Sequence, residues 1–461
     1  MLRRTTFGLF LGLFWFGGAL SAQEVDTLVV SLGDAERRAL ERSPILAEAR
    51  ADLGIAEAQE TQARHARYFP EATLRNVWGP IPRQRADYNE YGVLNSPDTA
   101  LGIRDLRWFT QLDIQLAQPI YGFGKISSRI KAAEHRTEAS QAGLASTETE
   151  VLFRVRELYW GVVLATELQR VVDGVLGQVE EAEEKLQEQY DEGNATQNDM
   201  FKFRLFEYEI HRRVREVETG LDEARAGLQA IMGVDDGVTV RVETEVLEPV
   251  GLTLDSLDAY LAMARENRAD LRELRRGIAA RRSLVEAAES DRWPNLFVGG
   301  GFSMNRAPSR FDPENPFWRN PTNYTRGALL VGLDWDVNFL HHRDEARVQR
   351  FEAAKLEALV DPLLAQVDQE IRAAYNVARR ARADLEEGEE ALQASENWLR
   401  ATLQTYDIGI GEINDVIDAF QANVQMETEQ LRNVAEFNTA VAELSARVGR
   451  DLMETGDGGG P

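Results

Sequence analysis

The chain contains no cysteine. Disulfides, thiolate-held metals and a lipidated N-terminal cysteine are therefore excluded from any account of its stability or chemistry. Long hydrophobic runs are scarce too: past the first residues, no window approaches the roughly 18 apolar residues that a transmembrane helix requires. Positive charge is in deficit, since 52 Lys and Arg stand against 77 Asp and Glu for a formal charge of −25. So acidic a surface argues against nucleic acid as a partner, because phosphates demand a basic face.

The one apolar run stands at the start. Arg3 and Arg4 form a basic region, and Phe7 to Phe16 form an apolar stretch too short to span a bilayer. Ala19, Ser21 and Ala22 offer a small-residue cleavage site after Ser21 or Ala22. Residues 1–22 are expected to be a signal peptide and the mature chain to be exported. With no apolar helix available, any membrane crossing must use β-strands.

What the chain has in abundance is repetition. Val155-Arg156 and Tyr159 return as Ile371-Arg372 and Tyr375. Tyr190-Asp191, Gly193 and Asn198-Asp199 return as Tyr406-Asp407, Gly409 and Asn414-Asp415. Leu228, Ala230, Gly233 and Asp235 return as Leu444, Ala446, Gly449 and Asp451. Every pair is 216 positions apart, as 155 is from 371, and chance does not hold one register without a gap. Tyr68-Phe69-Pro70 answers Arg292-Trp293-Pro294 at a slightly different offset. A first repeat is expected over 23–237, an inter-repeat linker over 238–254, a second repeat over 255–451 and a tail over 452–461.

Within each repeat the order is the same. A helix (about 34–69, then 255–292) ends at a proline. Two strand-like segments follow, at about 71–78 and 108–119 and again at 295–304 and 326–338. A helix of roughly 65 residues, a tight turn and a helix of about 38 close the repeat, giving hairpins near 124–232 and 343–450. Leu385, Leu392, Leu399 and Tyr406 fall seven apart, as do Val172, Val179 and Leu186. Val214, Val217, Leu221, Ala224, Leu228 and Ile231 step by three and four. Such spacing predicts left-handed coiled-coil packing.

The strands alternate. Leu112, Ile114 and Leu116 oppose Asp113 and Gln115; Leu329, Val331, Leu333, Trp335 and Val337 oppose Gly332, Asp334 and Asp336. One apolar face, one wet face and a length near ten residues suit a tilted membrane barrel. Four strands are too few, since spanning barrels need at least about eight. Several copies must share one wall; two would supply eight strands and three would supply twelve, and the residues alone leave that choice open.

At this point the chain resembles the TolC-like outer membrane efflux family over essentially its whole mature length. The resemblance rests on the duplication, a strand pair in each half, and the turn Tyr121-Gly122-Phe123-Gly124-Lys125. It rests also on Asn267-Arg268-Ala269-Asp270-Leu271 and the Tyr-x-x-Gly hairpin turns. It implies a mainly α protein with a membrane β-barrel portion, built as a homotrimer with a twelve-stranded barrel on a twelve-helix coiled-coil periplasmic tunnel. The linker would then lie in an equatorial region. Glu192, Gly193 and Asn194, with Ile408, Gly409 and Ile410, match the tips where a periplasmic membrane-fusion adaptor docks and connects to an inner-membrane pump. Asp415 and Asp418 match an aspartate pair that rings the periplasmic gate and attracts divalent cations, with Asp199 as the first-repeat counterpart and Tyr406 as a further closing group. Gly411 stands where some members carry a locking arginine, and Ala269 where a proline is frequent. Pro362 should kink the second long helix, with Asp361 capping the restart.

No enzyme chemistry is expected, nor any cofactor or resident metal. Gly122-Phe123-Gly124-Lys125 lacks phosphate-loop spacing, and the five histidines lack ligand spacing. The expected function is the passive exit duct of a tripartite efflux or type I secretion system. The alternative is a periplasmic adaptor or a structural coiled-coil protein of an envelope export complex.

Overall fold

The computed structural model describes residues 26–82, 87–88, 94–96, 106–193, 195–235, 237–244, 246–308, 317, 320, 322–408, 410 and 412–453. The expected signal peptide lies outside these residues, as do Asn194, Gly409, Gly411 and nearly all of the tail. The first half runs β1 (Asp26–Val30), α1 (Leu32–Arg42), α2 (Pro44–Tyr68), β2 (Glu71–Pro82), β3 (Asp87–Tyr88), β4 (Leu94–Ser96), β5 (Leu106–Tyr121), α3 (Lys125–Asp191) and α4 (Gln197–Met232). After β6 (Val238–Val242) come α5 (Leu257–Asn267), α6 (Ala269–Ser290), β7 (Asn295–Arg306), β8 (Tyr324–Asp334), α7 (Phe339–Glu357), α8 (Val360–Asp407) and α9 (Ile413–Val448). At 1.5 Å per residue, the 67 residues of α3 reach about 100 Å.

Helices lie side by side in two tiers that share α3. Nearer the strands the order is α2, α3, α6, α7, and toward the turns it is α4, α3, α9, α8. The main core forms where the tiers meet, around buried Tyr159, Leu228, Met232, Tyr260, Ile371 and Phe437. A second cluster near the turns joins Val175, Val179 and Leu186 of α3 to Phe203, Phe206 and Ile210 of α4. Val179 and Leu186 are thus buried seven residues apart, the repeat that keeps one seam facing its partner helix.

Three parts of the helical layout differ from the sequence expectation. Each short helix is two, broken at Ser43 (φ −57°, ψ 128°) and at Arg268 (φ −62°, ψ 129°). Pro44 forces the first break, because the residue before proline is pushed to extended backbone. At the second, Ala269 takes that place, and the Arg268 guanidinium bridges Asp270 and Glu370, each at 2.6 Å. The second long helix is interrupted near Pro362 as expected, into α7 and α8, but Asp361 does not cap the restart. The N-cap is Leu359, without a side-chain bond, and Asp361 sits in the first turn. The break falls upstream of Pro362 because its ring crowds the carbonyl four residues earlier, that of Ala358. The third difference is β1, which pairs in parallel with β6 from Asp26↔Val238 to Val30↔Val242, so part of the expected linker is sheet.

The strands between the helical segments form one antiparallel sheet in the order β2-β5-β7-β8. β8 stops at Asp334, short of the expected 338. Beyond it the chain turns, with Asn338 N donating to Asp336 Oδ1 at 3.0 Å. Neither outer strand finds a second neighbour among the described residues, so the sheet stays open and no barrel closes within one chain.

Candidate functional site

Register places the sheet's side chains on two unlike faces. Leu116 pairs with Gly300 and Gly300 with Leu329; Ile114 pairs with Phe302; Val298 pairs with Val331 and Leu296 with Leu333. Paired residues share a face, so these apolar side chains stand together with Leu74 and Trp78. Leu329 is 88 % exposed and Val331 68 %, so the apolar face is uncovered within one chain, as at surfaces that meet a partner or a membrane. On the other face Arg75 pairs with Asp113 and Asp113 with Ser303. There the Ser303 hydroxyl and Gln111 Nε2 each donate to Asp113 at 2.6 Å. One face of the sheet is thus apolar, while the other mixes these polar groups with Phe297 and Leu330.

At the far end, α3 closes through Glu192 as C-cap and Gly193 at φ 81°, where Gly193 N donates to Tyr190 O at 3.0 Å. Glycine suits this turn because a side chain is strained in the left-handed region. The second turn presents Ile408 and Ile410, 70 % and 76 % exposed. Both turns therefore project from the bundle.

The four expected gate residues gather near these turns but are held differently. Asp199 is the third residue of α4 and closes a capping box with Thr196. Thr196 N donates to Asp199 Oδ2 at 2.9 Å, and Asp199 N donates back to Thr196 Oγ1 at 3.3 Å. The Thr196 hydroxyl also donates to this carboxylate and, with the backbone bond, holds it below the usual carboxylate range. Asp415 has the same place in α9, yet N-cap Glu412 makes no side-chain cap bond, and Asp415 stays exposed. Asp418 is also exposed, three residues on and so on the same helix face. Lys202 Nζ donates to Asn414 Oδ1 at 3.0 Å, tying the start of α4 to the start of α9. Tyr406 lines a cavity of about 400 Å³ between the hairpins, with Leu403, Phe203, Phe206, Ile417 and Phe420. The sequence reading missed the capping box, although the Thr-x-x-Asp spacing carries its signature. The Lys202 link leaves no sequence signal, because it joins residues far apart in the chain.

An ion network ties the helical midsection together. Arg156 is buried and donates from Nε to Glu36 at 2.6 Å and from its other nitrogens to Asp451. Among the described residues, no group of three or more His, Asp or Glu side chains is arranged to hold a metal.

Residues 36–234 match the model of the family described as outer membrane efflux protein. Over that stretch, a little under half of its length, the chain resembles that family. Its members are outer membrane channels rather than enzymes, and its place is the bacterial outer membrane with a large periplasmic portion. It is similar to the alkaline protease secretion protein AprF of Pseudomonas aeruginosa, with 22 % identity over 93 % of this chain and 86 % of that one. The cobalt-zinc-cadmium resistance protein CzcC of Cupriavidus metallidurans is 25 % identical over 47 % of this chain and 52 % of its own length. Two solved structures share the fold. CusC matches with a TM-score of 0.71 at 15 % identity over 92 % of this chain and 94 % of its own. The open state of the MtrE outer membrane channel of Neisseria gonorrhoeae matches at 0.70 and 14 %, over 94 % of each chain.

Proposed function

We propose that three copies of this chain close a twelve-stranded barrel, continued by a twelve-helix tunnel, as the passive exit duct of a tripartite efflux or type I secretion system. The observation that carries this reading is the open four-stranded sheet, apolar on one face and bearing Asp113 and its partners on the other, with both edges unpaired among the described residues. Free edges cannot persist in lipid, and four strands cannot wrap on themselves. Neighbouring copies would supply the missing partners. The projecting turns at Gly193 and at Ile408 and Ile410 would receive the adaptor, and through it the inner-membrane pump. The first relative is named for protease secretion and the second for metal resistance, which fits a duct whose cargo is chosen upstream.

Asp415 and Asp418 would form the gate. Neither carboxylate is spent on a helix cap, and three copies would converge about six of them on one axis, as in cation-selective rings. Asp199, already held by Thr196, would support the turn rather than the ring. Replacing Asp415 and Asp418 together by alanine should weaken divalent-cation block of single-channel current. Block of unchanged strength would put the constriction elsewhere.

A further inference from the structure

The wall of the duct meets the helices at a joint that carries its own chemistry. Tyr121 pairs with Leu296 at the foot of the apolar face. Two residues on, Phe123 takes a left-handed φ of 49°, a conformation that a bulky side chain resists. Its ring packs on Tyr121 at 4.8 Å and stacks on Trp293 at 5.7 Å. Trp335 Nε1 donates to Arg292 O at 3.1 Å, and the Trp335 ring meets Phe339 at 5.9 Å. Exposed aromatics thus continue the lipid face to the depth where headgroups lie.

Each half places one arginine here. The Arg292 guanidinium lies 5.3 Å from the Trp293 ring centre, and that of Arg67 lies 5.7 Å from that of Tyr68. Both are exposed, and neither has a carboxylate partner among the described residues. Their neighbours differ: Arg64 pairs with Glu60 and Glu134, and Lys125 and Arg129 with Asp291. A ring beneath a guanidinium orients it and leaves its N–H fork open, a geometry suited to phosphate.

We propose that Arg67 and Arg292 bind the phosphodiester headgroups of anionic phospholipids in the periplasmic leaflet, two sites per chain, and so fix the depth of the barrel. The proposal rests on the duct reading, since it needs the apolar face in a bilayer. It commits to lipid, because the sites continue the lipid-facing surface and the aromatics beside them offer acyl chains a wall.

The test is native mass spectrometry of the purified full-length trimer in detergent, titrated with phosphatidylglycerol. The wild type should retain the lipid, and Arg67→Gln with Arg292→Gln should bind it about tenfold more weakly. Arg67→Lys with Arg292→Lys, which keeps charge but loses the planar fork, should fall between them. Equal retention by all three proteins would overturn the proposal, as would displacement of the lipid by millimolar inorganic phosphate, which would mark a free-anion site. A chain that stays monomeric without detergent would instead sink the duct reading, a result distinct from an intact trimer that ignores the lipid.

Discussion

At the first turn Thr196 and Asp199 close a capping box, whereas at the second Glu412 leaves its helix start without a side-chain cap and Asp415 exposed. The same contrast runs up the hairpins. Val172, Val214 and Val217 of the first correspond, 216 positions on, to Gly388, Gln430 and Asn433 of the second. There Gln430 Nε2 donates to Leu385 O at 3.2 Å and Asn433 Nδ2 to Asp384 O at 3.0 Å, in space that the missing Gly388 side chain leaves open. The two hairpins thus share their helical layout but not their contacts. At these three positions the first hairpin carries valines, whereas the second carries hydrogen bonds that water can replace, although both hairpins share the apolar core.

The largest effect should separate Arg156 from its counterpart Arg372, which is exposed and without an ion pair among the described residues. Arg156→Met strands Glu36 and Asp451 in a partly buried site and should cost about 2–4 kcal/mol in urea unfolding, while Arg372→Met should cost close to nothing. Burial opposes the charge on Asp451, but the hydrogen bonds from Arg156 prevail and hold its carboxyl below the usual range. Its stabilisation is therefore complete above the unfolded aspartate value, about 3.9, and is lost as pH falls through the lower folded value. Arg156→Met should flatten that acid limb.

Next in size, a methyl group at Gly388 would collide with Gln430 and Asn433 and expel both from the α8 carbonyls. Gly388→Ala should cost about 1–2 kcal/mol, measured by thermal melting. Adding Gln430→Val and Asn433→Val, which restores the apolar pattern of the first hairpin, should recover most of that loss.

The smallest effect would make the second turn resemble the first. Glu412→Thr places a threonine three residues before Asp415 and should stabilise the start of α9 by about 0.5–1 kcal/mol. Because the new cap engages the Asp415 carboxylate, divalent block should weaken while helix protection in hydrogen exchange rises. Stabilisation with undiminished block would separate Asp415 from the gate.

Much of this was legible in the residues. Alternation at Leu329, Val331 and Leu333 and the seven-residue step from Val179 to Leu186 are periodic signals that local geometry must obey. The Ser43 break is written in Pro44, but no proline marks the break at Arg268, whose ion pairs reach Asp270 and, 102 residues away, Glu370. The pairing of β1 with β6 joins two five-residue strands, too short to carry a period. At the candidate gate the residue types were readable, whereas the different duties of Asp199 and Asp415 depend on whether residue 196 or 412 can cap a helix.

The most direct measurement of the shared wall exploits the absence of native cysteine. A cysteine at Leu74 on β2 would be combined with one moved along β8 from Thr325 to Leu333, and the protein oxidised in membranes. The account predicts a register at which disulfides join different copies in a ladder ending at three. Cross-links confined within single chains would mean that β2 and β8 meet each other, and the shared barrel would be refuted.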